Sequence, residues 1–287
     1  MSVTVPSPWV CLMRLALELT RARKAAGLGQ KAVVEATRVG LATLSRAENA
    51  ERRPQYRTVI TLLDHYGVTG ERRARMIALW EGAKIERESQ PEDAKLPRGY
   101  AAYILAEEAA EELGTWEAAY VPGLLQTKSY AHAVIDGGLP PAVPDDRDRR
   151  VETRIKRQRL LTKPGPLRLA AIMDEAVLRR EVGGPAVMAD QLQHLQAMAG
   201  QPHITLRVLP FTAGAHPGMR GPFTLLTFPD ASDPEIAYID GQANDLLSQD
   251  NLDRYSATFA TLRRLALDPQ DSLALIASVM HSFKEAA

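Results

Sequence analysis

At 287 residues, with 45% hydrophobic and 24% charged side chains, the chain has the composition of a folded protein with room for about two domains. Its 35 basic and 35 acidic residues balance, which excludes a uniformly basic coat, and no run of 18 apolar residues is present to span a membrane. The balance is uneven, however: residues 1–90 hold 15 Lys/Arg against 9 Asp/Glu, net +6, and the remainder is net −6. A basic head on an acidic body suits a polyanion contact confined to one end.

The first 19 residues carry a short apolar stretch without a preceding basic segment or a small-residue cleavage site, so no signal peptide is expected. The single Cys11 permits no intrachain disulfide and fits a reducing cytoplasm, where the protein is expected close to the nucleoid; beside Leu12 it reads as a packed spectator. Residues 12–26 place Leu12, Leu15, Ala16, Leu19, Ala22 and Ala26 at helical spacing, closed by Gly27.

Residues 30–53, QKAVVEATRVGLATLSRAENAERR, are the most informative. A helix over 30–37 burying Val33 and Val34, a turn at Arg38-Val39-Gly40 and a second helix from Leu41 form the layout of a DNA-reading helix-turn-helix. Gly40 is expected to supply the backbone freedom of the turn. Leu44 and Ala47 point inward, leaving Ala42, Thr43 and Arg46 outward to reach base edges. Gln30, Lys31, Leu41 and Asn49 flank that surface, and Arg38, Arg52, Arg53 and Arg57 stand where phosphates would lie. A further helix over 58–66 groups Val59, Leu62, Leu63 and Tyr66, and Thr69 can cap a last one carrying Met76, Ile77, Leu79, Trp80 and Ala83.

The stretch AGLGQKAVVEATRVGLATLSRAENAERRP resembles the Xre/lambda-repressor-type helix-turn-helix, with Gln30 opening the second helix and Leu44-Ser45-Arg46-Ala47-Glu48 in the recognition helix. It departs from that pattern at Arg38, where the turn usually has Gly, and at Gly40, where Ser often caps the recognition helix.

Residues 85–98 are polar, contain two prolines and separate basic from acidic sequence. They set the expected division into a head over 1–88, a linker over 89–98 and a second domain over 99–287. In the second domain, helices are predicted at 100–113, 126–135, 146–161, from 174, and at 185–199, 250–267 and 269–283. Strands are predicted at 116–121, 167–173, 203–209, 223–228 and 235–239. The expected fold is an all-α helix-turn-helix head followed by an α+β domain with a mixed, partly antiparallel sheet.

In this half TWEAAYVPGLLQTKSYAHAVI, RQRLL, DEAVLRREVGG, QLQHL, ITLRVLPFTAGAHPGMRGPFTLLTF and AYIDG resemble the C-terminal domain of an actinomycete family of Xre-type regulators, the WhiJ-like family. Some of its members are antitoxin-like and act with a small neighbouring-gene protein. The resemblance spans residues 12–280 and implies transcriptional control; it brings no catalytic residues.

No enzyme is expected. The 6 His residues show no metal-ligand spacing, and no nucleophile elbow, phosphate loop or zinc-protease motif occurs, so neither cofactor nor metal is implied. Asp174-Glu175 at a strand end is the best acidic pair, and Asp174 serves equally as a helix cap. Two features read as binding elements. The glycine-rich loop 211–223, with His216, Met219 and Arg220, has the length of a lid or partner contact or of an ordinary surface loop. The helix with Arg150, Arg154, Arg157 and Arg159 around Val151, Ile155 and Leu160 can line an anion pocket, lie against the acidic residues 107–112, or form a solvated basic face, the plainest reading.

The partners expected are double-stranded DNA, a second copy of the chain, and a small effector or small partner protein. The leading reading is a homodimeric transcriptional regulator whose second domain dimerises and senses a signal. The alternative is an antitoxin-like protein that binds a small partner and autoregulates its operon. A DNA-tethered enzyme ranks last.

Overall fold

The computed structural model describes residues 8–84, 98–138, 144–230, 235–239, 246–248 and 252–286; the expected linker at 89–98 falls almost entirely outside them. The chain forms two compact units, residues 1–109 with 241–247, and 110–240 with 248–287.

The described residues of the first unit up to Ala109 form helices only: α1 (Pro8–Ala25), α2 (Gln30–Thr37), α3 (Leu41–Glu48), α4 (Tyr56–His65), α5 (Gly70–Gly82) and α6 (Arg98–Ala109). One core is built from Leu15 and Leu19 of α1, Val33 of α2, Leu44 and Ala47 of α3, Leu62 and Leu63 of α4 and Met76 of α5, the periodic positions of each helix. Val34, expected inside, is only half-buried against it. Thr69 stands at the N-cap of α5 but makes no side-chain capping bond, so the expected cap is positional only. Cys11 is buried on α1, where the Cβ of any residue replacing Gly82 of α5 would meet its Sγ at 2.8 Å.

The second unit is α+β. Strands β1 (Glu112–Glu117), β2 (Arg168–Asp174), β3 (Ile204–Leu209), β4 (Phe223–Thr227) and β5 (Ile236–Ile239) lie in the order β3-β2-β1-β4-β5. β1, β2 and β3 are parallel, while β4 runs antiparallel to β1 and β5 to β4, giving the expected mixed sheet. The parallel crossovers hold α7 (Lys128–Gly138) and α8 (Pro144–Arg157), then α9 (Glu175–Arg179) and α10 (Pro185–Ala199). Helices α11 (Leu252–Leu265) and α12 (Pro269–Ala286) close the unit.

The first strand lies earlier than expected. The helix predicted to reach residue 113 ends at Ala109, and β1 begins at Glu112 rather than 116. Leu113, Gly114, Thr115 and Trp116 are buried in succession, so both faces of this central strand are covered and the alternation that marks a half-exposed strand is missing. On one face Trp116, Ile172, Phe223 and Leu262 form a cluster under α11; within the sheet, the Thr115 and Thr224 hydroxyls bond at 3.1 Å. The α11–α12 junction borders β3: the Leu267 amide donates to the Val208 carbonyl at 2.9 Å, and the Val208 amide to Ser272 Oγ at 3.0 Å.

The connection from β3 to β4 crosses the carboxyl ends of β2 and β1 as a strap of two short 3-10 turns, Phe211–Ala213 and Pro217–Arg220. Trp116 Nε1 donates to the Gly218 carbonyl at 2.9 Å, and the Phe211 amide donates to Glu175 at 2.9 Å. Gly218 is buried so closely that a Cβ there would meet Trp116 at 2.7 Å and Leu262 at 3.0 Å. Gly218→Ala should therefore destabilise this unit by about 1–3 kcal/mol through overpacking, seen as an earlier denaturant transition by tryptophan fluorescence; an unchanged midpoint would mean that the strap can lift without cost.

Candidate nucleic-acid interface

The turn between α2 and α3 is built differently from expectation. Arg38, not Gly40, takes the left-handed backbone, at φ 59° and ψ 15°, and its amide closes α2 on the Val34 carbonyl at 2.9 Å. Gly40 sits at φ −58° and ψ 141°, a conformation open to any residue. A left-handed arginine costs about 1–2 kcal/mol that glycine would avoid. Thr37 steadies the turn, its hydroxyl donating to the Val33 carbonyl at 2.6 Å and accepting from the Val39 amide at 3.2 Å. As the Gly40 position implies, α3 has no side-chain N-cap.

The inward face of α3 is Leu44 and Ala47, both buried; Leu41, Ala42 and Thr43 are exposed and Arg46 half-buried. Glu48 fixes that orientation. Its carboxylate accepts from Arg23 of α1 through two nitrogens, at 2.6 and 3.0 Å, and from Gln30 of α2 at 2.8 Å. The hydrogen bond to Glu48 leads the effects that raise the Arg23 pKa above its ordinary value. Gln30, expected at the DNA, thus has its amide nitrogen engaged within the head. Burial, reinforced by the Glu48 charge, pushes the nearby Tyr66 phenol up.

Thr37 to Gly40, α3 and the segment from Arg52 into α4 enclose an open groove of about 490 Å3. Five arginines line it, Arg38, Arg46, Arg52, Arg53 and Arg57, together with Thr37, Thr43, Thr58 and Thr61, and no acidic residue. Four other arginines of the head are matched: Arg23 with Glu48, Arg21 and Arg72 with Glu18, and Arg73 with Asp64. Arg38, Arg46, Arg52 and Arg57 have no carboxylate partner among the described residues.

Arg53 differs from its neighbours. Its Nε donates to the Trp80 carbonyl at 2.8 Å and its guanidinium lies 3.7 Å from the Trp80 ring centroid. Burial lowers its pKa, with Glu81 opposing. Trp80 Nε1 donates in turn to the Pro54 carbonyl at 2.8 Å, and the Tyr56 ring lies 4.8 Å from the indole. Trp80 of α5 therefore clamps the α3–α4 segment and places Arg52 and Arg57. Sequence reasoning counted it as core only; the separation of 26 residues from Pro54 hides the contact.

Of the remaining expected residues, Lys31 is exposed on α2 and Asn49 is exposed at the end of α3, where its side chain bonds Ser45 Oγ at 3.3 Å. Tyr56, with Leu41 one of two large apolar side chains about half exposed among the described residues of the head, was missed; both open helices, α4 and α3.

The candidates in the second unit are tied to two different places. Arg154 donates to Gln126 at 2.9 Å, and Arg157 is buried. Gln126, Gln158 and Gln191 bond the 121–127 backbone, so the expected solvated basic face of α8 is in part an inward clamp; Arg150 is half-buried. His216 belongs to the strap, its side chain only 9% exposed, with Nε2 3.8 Å from Asp174 and Nδ1 buried without a hydrogen-bond partner among the described residues. Met219, 72% exposed, and Arg220 face outward. Asp174 caps α9 by accepting from the Ala176 amide at 2.9 Å. Burial alone would raise Glu175, but the Phe211 amide and Arg179 outweigh it and hold its pKa below the ordinary carboxylate value. Among the described residues no cluster of three His, Cys, Asp or Glu side chains could hold a metal ion, and no helix is long and apolar enough to cross a membrane.

A family model described as a helix-turn-helix domain matches residues 14–76, and one described as a domain of unknown function (DUF5753) matches residues 100–278. No curated protein and no solved structure matches the chain.

Glu48→Ala should cost the head about 3 kcal/mol, because Arg23 and Gln30 lose their shared acceptor in a nearly buried site. Circular dichroism melts would measure it, and a loss within error would show that solvent replaces the carboxylate at no cost.

Proposed function

We propose that this chain, which belongs to the DUF5753 family and carries a helix-turn-helix domain ahead of it, is a sequence-specific transcriptional regulator of the Xre, WhiJ-like type. The observation that carries the reading is the acid-free groove beside α3, where four arginines without carboxylate partners among the described residues repel one another until a polyanion neutralises them. Arg38, Arg52 and Arg57 would hold phosphates and set affinity; Thr43, Ala42 and Arg46 would meet base edges and set sequence choice. Arg53 supports the surface through Trp80 as much as it adds charge to it.

Binding to paired half-sites requires two heads at fixed spacing, and dimerisation through the second unit is the reading that supplies it. A second reading, capture of a small partner protein with autoregulation of the operon, is favoured by the exposed Phe211 and Met219 on a strap anchored from beneath. Sensing of a small effector by the same unit is compatible with either.

The test is fluorescence anisotropy of the full chain on duplex DNA from upstream of its own gene at two salt concentrations. Tight, salt-sensitive binding that Arg46→Ala abolishes is expected; weak binding indifferent to Arg46 would move the partner-capture reading ahead. Thr43→Ala should alter the ranking of operator variants, whereas an equal loss on every sequence would remove Thr43 from base readout.

A further inference from the structure

Among the described residues only two that are not glycine have positive φ, Arg38 at 59° and Ala50 at 54°, and they bracket α3. Elsewhere in the same unit the left-handed residues are glycines, among them Gly27 after α1 and Gly67 after α4, so the chain uses glycine where the backbone alone decides. Ala50 has an internal reason to keep a side chain, since its methyl is buried. Arg38 has none: it is exposed, and neither carboxylate nor carbonyl engages its guanidinium among the described residues. It stands on the rim of the acid-free groove, at the turn that leads into α3. Strain kept at an exposed position with no internal partner marks a side chain used outside the chain.

We propose that Arg38 is retained in the left-handed turn because its guanidinium grips a phosphodiester of the DNA backbone, the head giving up stability that glycine would supply for a contact only the arginine makes. The inference rests on the DNA-binding reading above and deepens it: this turn residue is a phosphate contact, blind to sequence. A guanidinium presents paired N–H donors to two phosphate oxygens, whereas the left-handed backbone serves no purpose inside the fold that glycine would not serve better.

The experiment compares the full-length chain with Arg38→Gly, Arg38→Lys and Arg46→Ala. Thermal melts and anisotropy would be recorded on the upstream duplex and on an unrelated duplex, between about 50 and 200 mM salt. Arg38→Gly is expected to melt a few degrees higher yet bind both duplexes about fivefold more weakly, with the salt slope reduced by about 0.9, the loss of one phosphate contact. Arg38→Lys should keep most of the slope and none of the gain in melting temperature. An Arg38→Gly variant that melts no higher would overturn the strain. One that melts higher but binds with unchanged affinity and slope, while Arg46→Ala has lost binding, would overturn the contact and leave the DNA-binding reading standing. Salt-insensitive binding by the unmodified chain would remove that reading and this proposal together.

Discussion

The presentation of α3 depends on one nearly buried carboxylate. Glu48 stands at the C-terminal end of that helix and receives hydrogen bonds from α1 and α2, so three helices meet at a single charge. A carboxylate so enclosed would be expensive to leave unpaired, and the bidentate arginine together with the Gln30 amide satisfies it. Apolar packing of Leu44 and Ala47 decides which face of α3 is inside; Glu48 decides how far the helix can turn or slide against its neighbours. Thr43 and Arg46 inherit their orientation from it.

Nine arginines of the head divide by what neutralises them. Arg21, Arg23, Arg72 and Arg73 meet carboxylates within the unit, and Arg53 is held by the Trp80 ring and backbone. Arg38, Arg46, Arg52 and Arg57 converge on a groove that excludes acids. A neutral chain thus keeps a strong local positive potential because its acidic residues are placed elsewhere. The threonines along the same groove add hydroxyls without charge, a lining that suits phosphate oxygens as well as base edges.

Much of this was legible in the sequence. Helical periodicity located α2 and α3, the inward Leu44 and Ala47, and the outward Ala42 and Thr43, since a short amphipathic helix has one phase that buries its apolar residues. The partners of charged side chains were not legible. Gln30 is spent on Glu48, 18 residues away, and Arg53 on Trp80, 27 residues away, and no local pattern carries such separations. The turn misled for a different reason: glycine is expected where backbone freedom is needed, but the chain places an arginine there and gives its glycine ordinary dihedrals. In the second unit the mixed sheet was legible from its strands, while β1 was displaced because a strand covered on both faces loses its alternation. The inward turn of Arg154 and Arg157 escaped as well, being set by the buried Gln126 and the 121–127 segment.

The second unit shows why an acidic pair at a strand end need not mean chemistry. The carboxyl ends of parallel strands are where open sheets hold ligands, because helix N-termini and loops converge there. Here the chain's own strap crosses that edge. Asp174 is used as a helix cap, Glu175 holds the start of the strap through the Phe211 amide, and Trp116 holds its second turn through the Gly218 carbonyl. Each of these polar groups has a structural partner, and the close approach at Gly218 requires that residue to lack a side chain. Asp174, Glu175 and Trp116 are thus engaged in capping α9 or holding the strap, while His216 stands among them with its Nδ1 unpartnered among the described residues. Outward the strap turns two large apolar side chains, Phe211 and Met219, beside the exposed Thr212 and Arg220.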